Sequence, residues 1–195
     1  MDLGQWLVIG LCVLLLLWYI AGALINYRRA ANALAWLKAG LDELGELSGM
    51  GWLTALHSAG RLAIREARPP FRTVELLFAL EARENLPVWA FRHLLGRRDE
   101  LYVRAELRSA PDAELEAARR PRPTDSGERF DITRSGKKSE ALLSRLKEFL
   151  GQYPQAVLKV SLQRKSPHVL IRLNLDDLRA GEARALFAAL RAWLE

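Results

Sequence analysis

Twenty consecutive residues near the amino terminus, Trp6–Ile25 (WLVIGLCVLLLLWYIAGALI), carry no charge and no proline. As a helix rising about 1.5 Å per residue, this run reaches roughly 30 Å, the thickness of a bilayer's hydrocarbon core. It is apolar on every face, which suits lipid better than the surface of a soluble domain. A secretory signal needs a basic n-region and a shorter apolar core. Only Asp2 is charged ahead of the run, and Ala21-Gly22-Ala23 merely resembles a cleavage site. Residues 1–27 therefore read as a retained transmembrane signal anchor.

The flanking charges give an orientation. No Lys or Arg precedes the run, whereas Arg28, Arg29 and then Lys38 follow it. The positive-inside rule puts these exit residues, Arg28 and Arg29, in the cytoplasm and the N-terminus outside. The expected location is the inner (cytoplasmic) membrane, crossed once. Trp6 at one end and Trp18, Tyr19 and Tyr27 toward the other suit the two lipid–water boundaries. The run holds no Gly-x-x-x-Gly pair, the usual mark of close helix dimers.

The rest of the chain has the composition of a soluble domain and is basic. Asp2 is the only charge in the first 27 residues, so the remainder holds all 29 Lys and Arg against 22 of the 23 acids, a net of +7. Acidic lipid headgroups explain such a surplus on a tethered domain without further assumption, and nucleic acid is the sharper alternative. The one cysteine, Cys12, lies inside the apolar run, which excludes an intrachain disulfide and a thiolate metal site. Abundant Ala, Leu and Arg with little Lys suggests a GC-rich prokaryotic genome.

Residues 28–51 read as a juxtamembrane helix and linker. Leu34, Leu37, Leu41 and Leu44 form a helical stripe expected to pack on the following domain or at the membrane surface, and Ser48-Gly49-Met50-Gly51 is a breaker. Period-two alternation then predicts strands at 61–65, 71–81 and 101–107, with weaker candidates at 52–57 and 111–118. Asn85–Leu95 reads as a short helix with Pro87 in its first turn and Gly96 at its stop. Arg119–Gly127 (RRPRPTDSG) is polar and Pro-rich. Beyond it, a strand at 129–132, a helix at 139–150, a hairpin at 156–163 and 168–175, and a helix from Ala183 are expected, with Asp176 or Asp177 capping the last helix. The fold class is α+β: an N-terminal transmembrane helix, then a cytoplasmic antiparallel sheet with helices on one face. The division is 52–118 as a first α+β subdomain, 119–127 as a basic Pro-rich linker and 128–195 as a second; sequence leaves open whether they share a core.

The usual catalytic patterns are absent. His57, His93 and His168 fit no metal-ligand spacing, and there is no nucleophile elbow, dinucleotide loop or P-loop. No catalytic, cofactor or metal residue is assigned. Two Arg groups stand out as candidate contacts for anionic lipid or phosphate. Arg92, Arg97 and Arg98 surround the end of the predicted helix, and Arg119, Arg120 and Arg122 lie in the linker. Arg forks grip phosphate in bidentate fashion. The plainer reading is a cationic helix C-terminus neutralised by Asp99 and Glu100, and a solvated basic loop. The hairpin strands offer no aromatic residue on which a base could stack, which weakens an RNA reading.

Trp18-Tyr19-Ile20, Arg28-Arg29, Pro69-Pro70-Phe71-Arg72, Leu86-Pro87-Val88-Trp89 and Gly96-Arg97-Arg98-Asp99-Glu100-Leu101, spread over roughly the first 110 residues, give a layout that resembles uncharacterised prokaryotic single-pass membrane proteins with a small cytoplasmic α+β domain. The resemblance implies no activity. The expected function is a membrane-anchored interaction or scaffold domain, or an accessory subunit, with the bilayer, acidic headgroups and a protein complex as partners. The alternative is a tethered domain that binds nucleic acid or a nucleotide through its Arg clusters.

Overall fold

The computed structural model describes residues 2–54, 56–120, 129–136, 139–179 and 181–195. One unbroken helix, α1 (Leu3–Gly40), contains the whole apolar run and continues past it. It is long and apolar enough to cross a membrane. The backbone N–H of Asp2 donates to Gln5 Oε1 at 3.2 Å at its start, and Lys38 in its last turn suits the negative end of the helix dipole. A 3₁₀ turn, Leu41–Glu43, follows.

Eight strands follow: β1 (Gly49–Trp52), β2 (Ala59–Ile64), β3 (Phe71–Ala79), β4 (Glu100–Leu107), β5 (Glu114–Arg119), β6 (Phe130–Ser135), β7 (Val157–Leu162) and β8 (Val169–Asn174). They form one antiparallel open sheet in the order β1-β2-β3-β4-β8-β7-β5-β6. The pairing of β4 with β8 carries the sheet across the division drawn from sequence, and one hydrophobic core draws on both segments. Arg119 ends β5 and pairs with Phe130 of β6, so the 119–127 stretch connects neighbouring strands of one sheet. Arg122 lies outside the described residues.

Side-chain alternation sets the two faces of this sheet. Leu62 and Ile64, Val74, Leu76 and Phe78, Leu101, Val103 and Ala105, and Val169, Ile171 and Leu173 are all buried on one face. Register irregularities at Phe71/Thr73 and Val157/Lys159 add a residue to β3 and β7. This explains why Phe71 and Val74, and likewise Val157 and Val160, sit three apart yet are both buried. The other face is polar, with Arg61 and Arg104 beside Glu75, and Lys159 beside Glu116.

Helices cover the apolar face. α3 (Ser139–Gln152) contributes Leu146, Phe149 and Leu150. α4 (Ala183–Leu194) contributes Ala183, Leu186, Phe187, Leu190 and Trp193, an i, i+3, i+4, i+7 stripe that is entirely buried. The C-terminal half of α1 completes the layer. Leu37, Leu41 and Leu44 of the leucine stripe are core residues and Leu34 packs against them, so the stripe belongs to the domain. At Gly40 a Cβ would come within 2.6 Å of the Phe187 ring, which shows how closely α1 and α4 approach.

Three local expectations need correction. Helix α1 stops at Gly40, and Gly49–Trp52 extends as the exposed edge strand β1, a position that tolerates glycine. Of the strand expected at 52–57, Leu53, Thr54, Leu56 and His57 lie outside any strand. Asp176 and Asp177 do not cap α4. They close a 3₁₀ turn after β8, where Asn174 Oδ1 accepts from the Asp176 N–H, and α4 starts only at Ala183, after Glu182.

Candidate functional site

The connection from β3 to β4 folds back onto the apolar half of α1. It carries α2 (Leu86–Leu94), whose N-cap Asn85 accepts from the Val88 N–H at 3.2 Å and which admits Pro87 in its first turn. Four levels of α1 hold this segment. Trp18 Nε1 donates to the Arg83 carbonyl at 2.9 Å, and its ring lies 5.4 Å from that of Trp89. Gly22 lets the backbone of Arg83 pass so close that a Cβ would meet its carbonyl oxygen at 2.4 Å. Asn26, fully buried, donates to the Glu81 carbonyl at 2.9 Å and to Glu84 Oε2 at 2.7 Å. Arg29 Nη1 reaches Asp99 Oδ2 at 2.6 Å and Asp176 Oδ1 at 2.7 Å.

Asp99 is the hub of this latch. It is 1% exposed, accepts both guanidinium nitrogens of Arg83 at 3.0 and 3.1 Å, and accepts the Glu81 N–H at 2.8 Å. Buried acids are tolerated when they are paired in this way. The exit residue Arg29 is thus committed to ion pairs within the fold, while Arg28 is exposed.

Because Asp99 is occupied by Arg29 and Arg83, it does not neutralise Arg97 and Arg98 as the sequence suggested. Glu100 is also taken. Arg172 Nε donates to its Oε2 at 2.6 Å, Arg172 Nη2 bonds its Oε1, and the Tyr102 hydroxyl donates at 2.5 Å. Burial pushes the Glu100 carboxyl up, but the hydrogen bonds from Arg172 and Tyr102 and the charges of Arg172 and Arg97 outweigh it, and the net shift is below the ordinary carboxylate value.

Arg97, Arg98, Arg119 and Arg120, singled out as two groups some twenty residues apart, line one cleft of about 770 Å³. It lies where β4 and β6 begin and β5 and β8 end, with Leu95 and Gly96 on its rim. Arg129 and Arg172 complete a set of six guanidinium groups. Glu100 is the one acid among the described lining residues. The sequence reading missed Arg129 and Arg172. Alternation in VLIRLN puts Arg172 on the polar face, but nothing local shows that β8 lies beside β4. Arg119 is held by its bonds to the Gln155 carbonyl (2.8 Å) and Oε1 (2.9 Å), and Arg120 pairs with Asp131 at 3.5 Å. Arg92, on α2, is exposed and does not line the cleft.

The three histidines stay apart. His57 packs edge-on against Tyr27 and Trp52, His93 stacks on Trp89, and His168 Nδ1 accepts from the Leu107 N–H at 3.0 Å. No cluster of three or more His, Cys, Asp or Glu that could hold a metal ion occurs among the described residues.

Fold and site together define an α+β domain built onto a long apolar helix, with a basic cleft at the sheet end nearest that helix's apolar half. No family model and no curated protein matches the chain.

Proposed function

We propose that this chain is a single-pass membrane protein whose domain is seated against the cytoplasmic leaflet, as an interaction or accessory subunit of a membrane complex. One observation carries the seating: the apolar run and the domain overlap. Only Leu3–Leu17 of α1 stands clear of the fold, about 22 Å of helix against the roughly 30 Å of a hydrocarbon core. The levels from Trp18 to Asn26, a further 12 Å or so, are already clasped by residues 81–89. Immersing the full run draws α2 into the lipid boundary.

The surface of α2 suits that environment. Val88, Phe91, Leu94 and the adjoining Leu95 are exposed, Leu94 by 86%. Interfacial helices sink their apolar faces about 5–10 Å, a depth comparable with the overlap. Trp52, at the end of β1 against His57, which in turn packs on Tyr27, and the following Leu53 add a second exposed apolar group near the exit of α1.

The test uses the full chain in phosphatidylcholine vesicles, labelled with an environment-sensitive fluorophore through Leu94→Cys on a Cys12→Ser background. The label is expected to be shielded from water and reached by lipid-borne quenchers, as is a control label at Leu14→Cys. A quenched Leu14 site with a water-exposed Leu94 site would leave the anchor and remove the seating. Exposure of both would remove the anchor as well.

The nucleic-acid alternative rests on the same Arg cleft. The described lining residues include no aromatic side chain, so a phosphate group suits the cleft better than a base.

A further inference from the structure

We propose that the six-Arg cleft is a binding site for a phosphate group, and that its place in the fold makes the headgroup of an anionic phospholipid the natural source. The headgroup as source rests on the seating proposed above; the phosphate chemistry does not.

The first argument is charge. Six guanidinium groups share a cleft with one carboxylate, and that carboxylate already accepts Arg172 and Tyr102. Asp99, next to Arg98 in sequence, points its charge into the latch with Arg29 and Arg83. Glu100 offsets Arg172 and Asp131 lies 3.5 Å from Arg120, which still leaves more cations than anions around the cleft, and a bound anion relieves that repulsion.

The second argument is geometry. Arg119 is fixed by two bonds to Gln155 and Arg172 by a forked pair with Glu100, so part of the cleft wall is pre-set. The Arg98 side chain donates to the Arg97 carbonyl at 3.0 Å and meets His93 Nδ1 at 3.2 Å, which orients Arg98. Planar forks of this kind match the oxygens of phosphate. The cleft has the volume of a small-ligand site, more than a single ion requires.

The third argument is position. The rim residue Leu95 adjoins Leu94 at the exposed apolar end of α2, so the mouth of the cleft begins where the proposed lipid contact ends. Another lining residue, Asn174, precedes the Leu175–Asp177 turn, whose Asp176 holds Arg29, four residues past the apolar run. At about 1.5 Å per residue those four residues span roughly 6 Å, within the headgroup layer.

The experiment has two arms, each read by the thermal midpoint of the full-length chain. In neutral detergent, inorganic pyrophosphate is titrated. In nanodiscs, phosphatidylcholine alone is compared with phosphatidylcholine containing phosphatidylglycerol. Stabilisation in both arms, or in either one, is expected to fall when Arg97→Gln and Arg98→Gln are combined. Removing each charge-assisted hydrogen bond lowers affinity about tenfold or more. Both side chains are exposed, so the variant should fold, and Arg119→Gln is the second variant if it does not. Arg145→Gln, exposed on α3 away from the cleft, is the basic control.

A response to phosphatidylglycerol alone assigns the headgroup as source. A response to pyrophosphate alone keeps the site and assigns a soluble phosphate. No response in either arm, or responses that both cleft variants share with the unmodified chain, overturns the proposal.

Discussion

The domain grips α1 twice, with different chemistry. Between Trp18 and Arg29 the contacts are polar and directional, through Asn26, Arg83, Asp99 and the backbone of residues 81–84. At the C-terminal end of α1 and in the turn that follows they are mainly apolar, with Leu37, Leu41 and Leu44 in the core and Trp36 edge-on to Phe187 at 5.9 Å. Each fully buried Leu or Phe contributes about 1.5–3 kcal/mol. A buried ion pair contributes little net energy over an apolar replacement but is costly to break on one side. The apolar grip therefore supplies affinity, and the polar latch fixes where along the apolar run the α2 segment attaches.

The largest expected effect comes from emptying the apolar grip. Phe187→Ala, at a residue with no exposed surface, should cost about 4 kcal/mol through reduced burial and the cavity beside Gly40 and Trp36. Chemical denaturation of the detergent-solubilised chain measures it. A cost under about 1 kcal/mol would mean that α1 does not depend on α4.

Breaking the latch should cost somewhat less and act locally. Asp99→Ala removes the carboxylate held by Arg83 and the acceptor of the Glu81 N–H, with Arg29 keeping Asp176, and is expected to destabilise by about 3 kcal/mol, whereas Asp99→Asn, which keeps an acceptor for the Glu81 N–H, should be milder. Hydrogen exchange should rise first in residues 81–98, with β3 and β4 still protected. Uniform loss of protection across the sheet would show that the latch and the core are one unit.

The smallest effect belongs to pH. The folded Glu100 carboxyl titrates below its ordinary value, so its contribution is present above the unfolded value, about 4.3–4.5, and disappears as pH falls through the lower folded one. Thermal midpoints recorded across that acidic window should decline less steeply for Glu100→Gln than for the unmodified chain. Parallel curves would remove Arg172 and Tyr102 as the cause of the shift.

Much of the architecture was legible because it is written locally. Alternation marked β3 and β4, and the stripe Ala183–Leu194 marked α4, since burial on one face imposes those periods. The charge-free run marked the first part of α1. What local pattern does not encode is which strands meet. The insertion of β8 between β4 and β7 brings Arg172 to Arg97, and the β5–β6 pairing brings Arg129 to Arg120. Four of the six cleft arginines were identified as candidates, yet as two separate groups, and of the two acids expected to neutralise them Asp99 is engaged with Arg29 and Arg83 while Glu100 stays at the cleft, bonded to Arg172. The overlap of α2 with the apolar run was also hidden. Trp18 reads in sequence as a boundary aromatic, and only the tertiary fold reveals Trp89 against it.

The continuity of α1 has a mechanical consequence. A single unbroken helix runs from Leu3 to Gly40 and is fastened to the body at two heights, leaving no break between the apolar run and the sheet. In the membrane seating proposed above, any lean that a thicker or thinner bilayer imposes on its first turns would swing the whole body with it, carrying the mouth of the arginine cleft toward or away from the lipid surface.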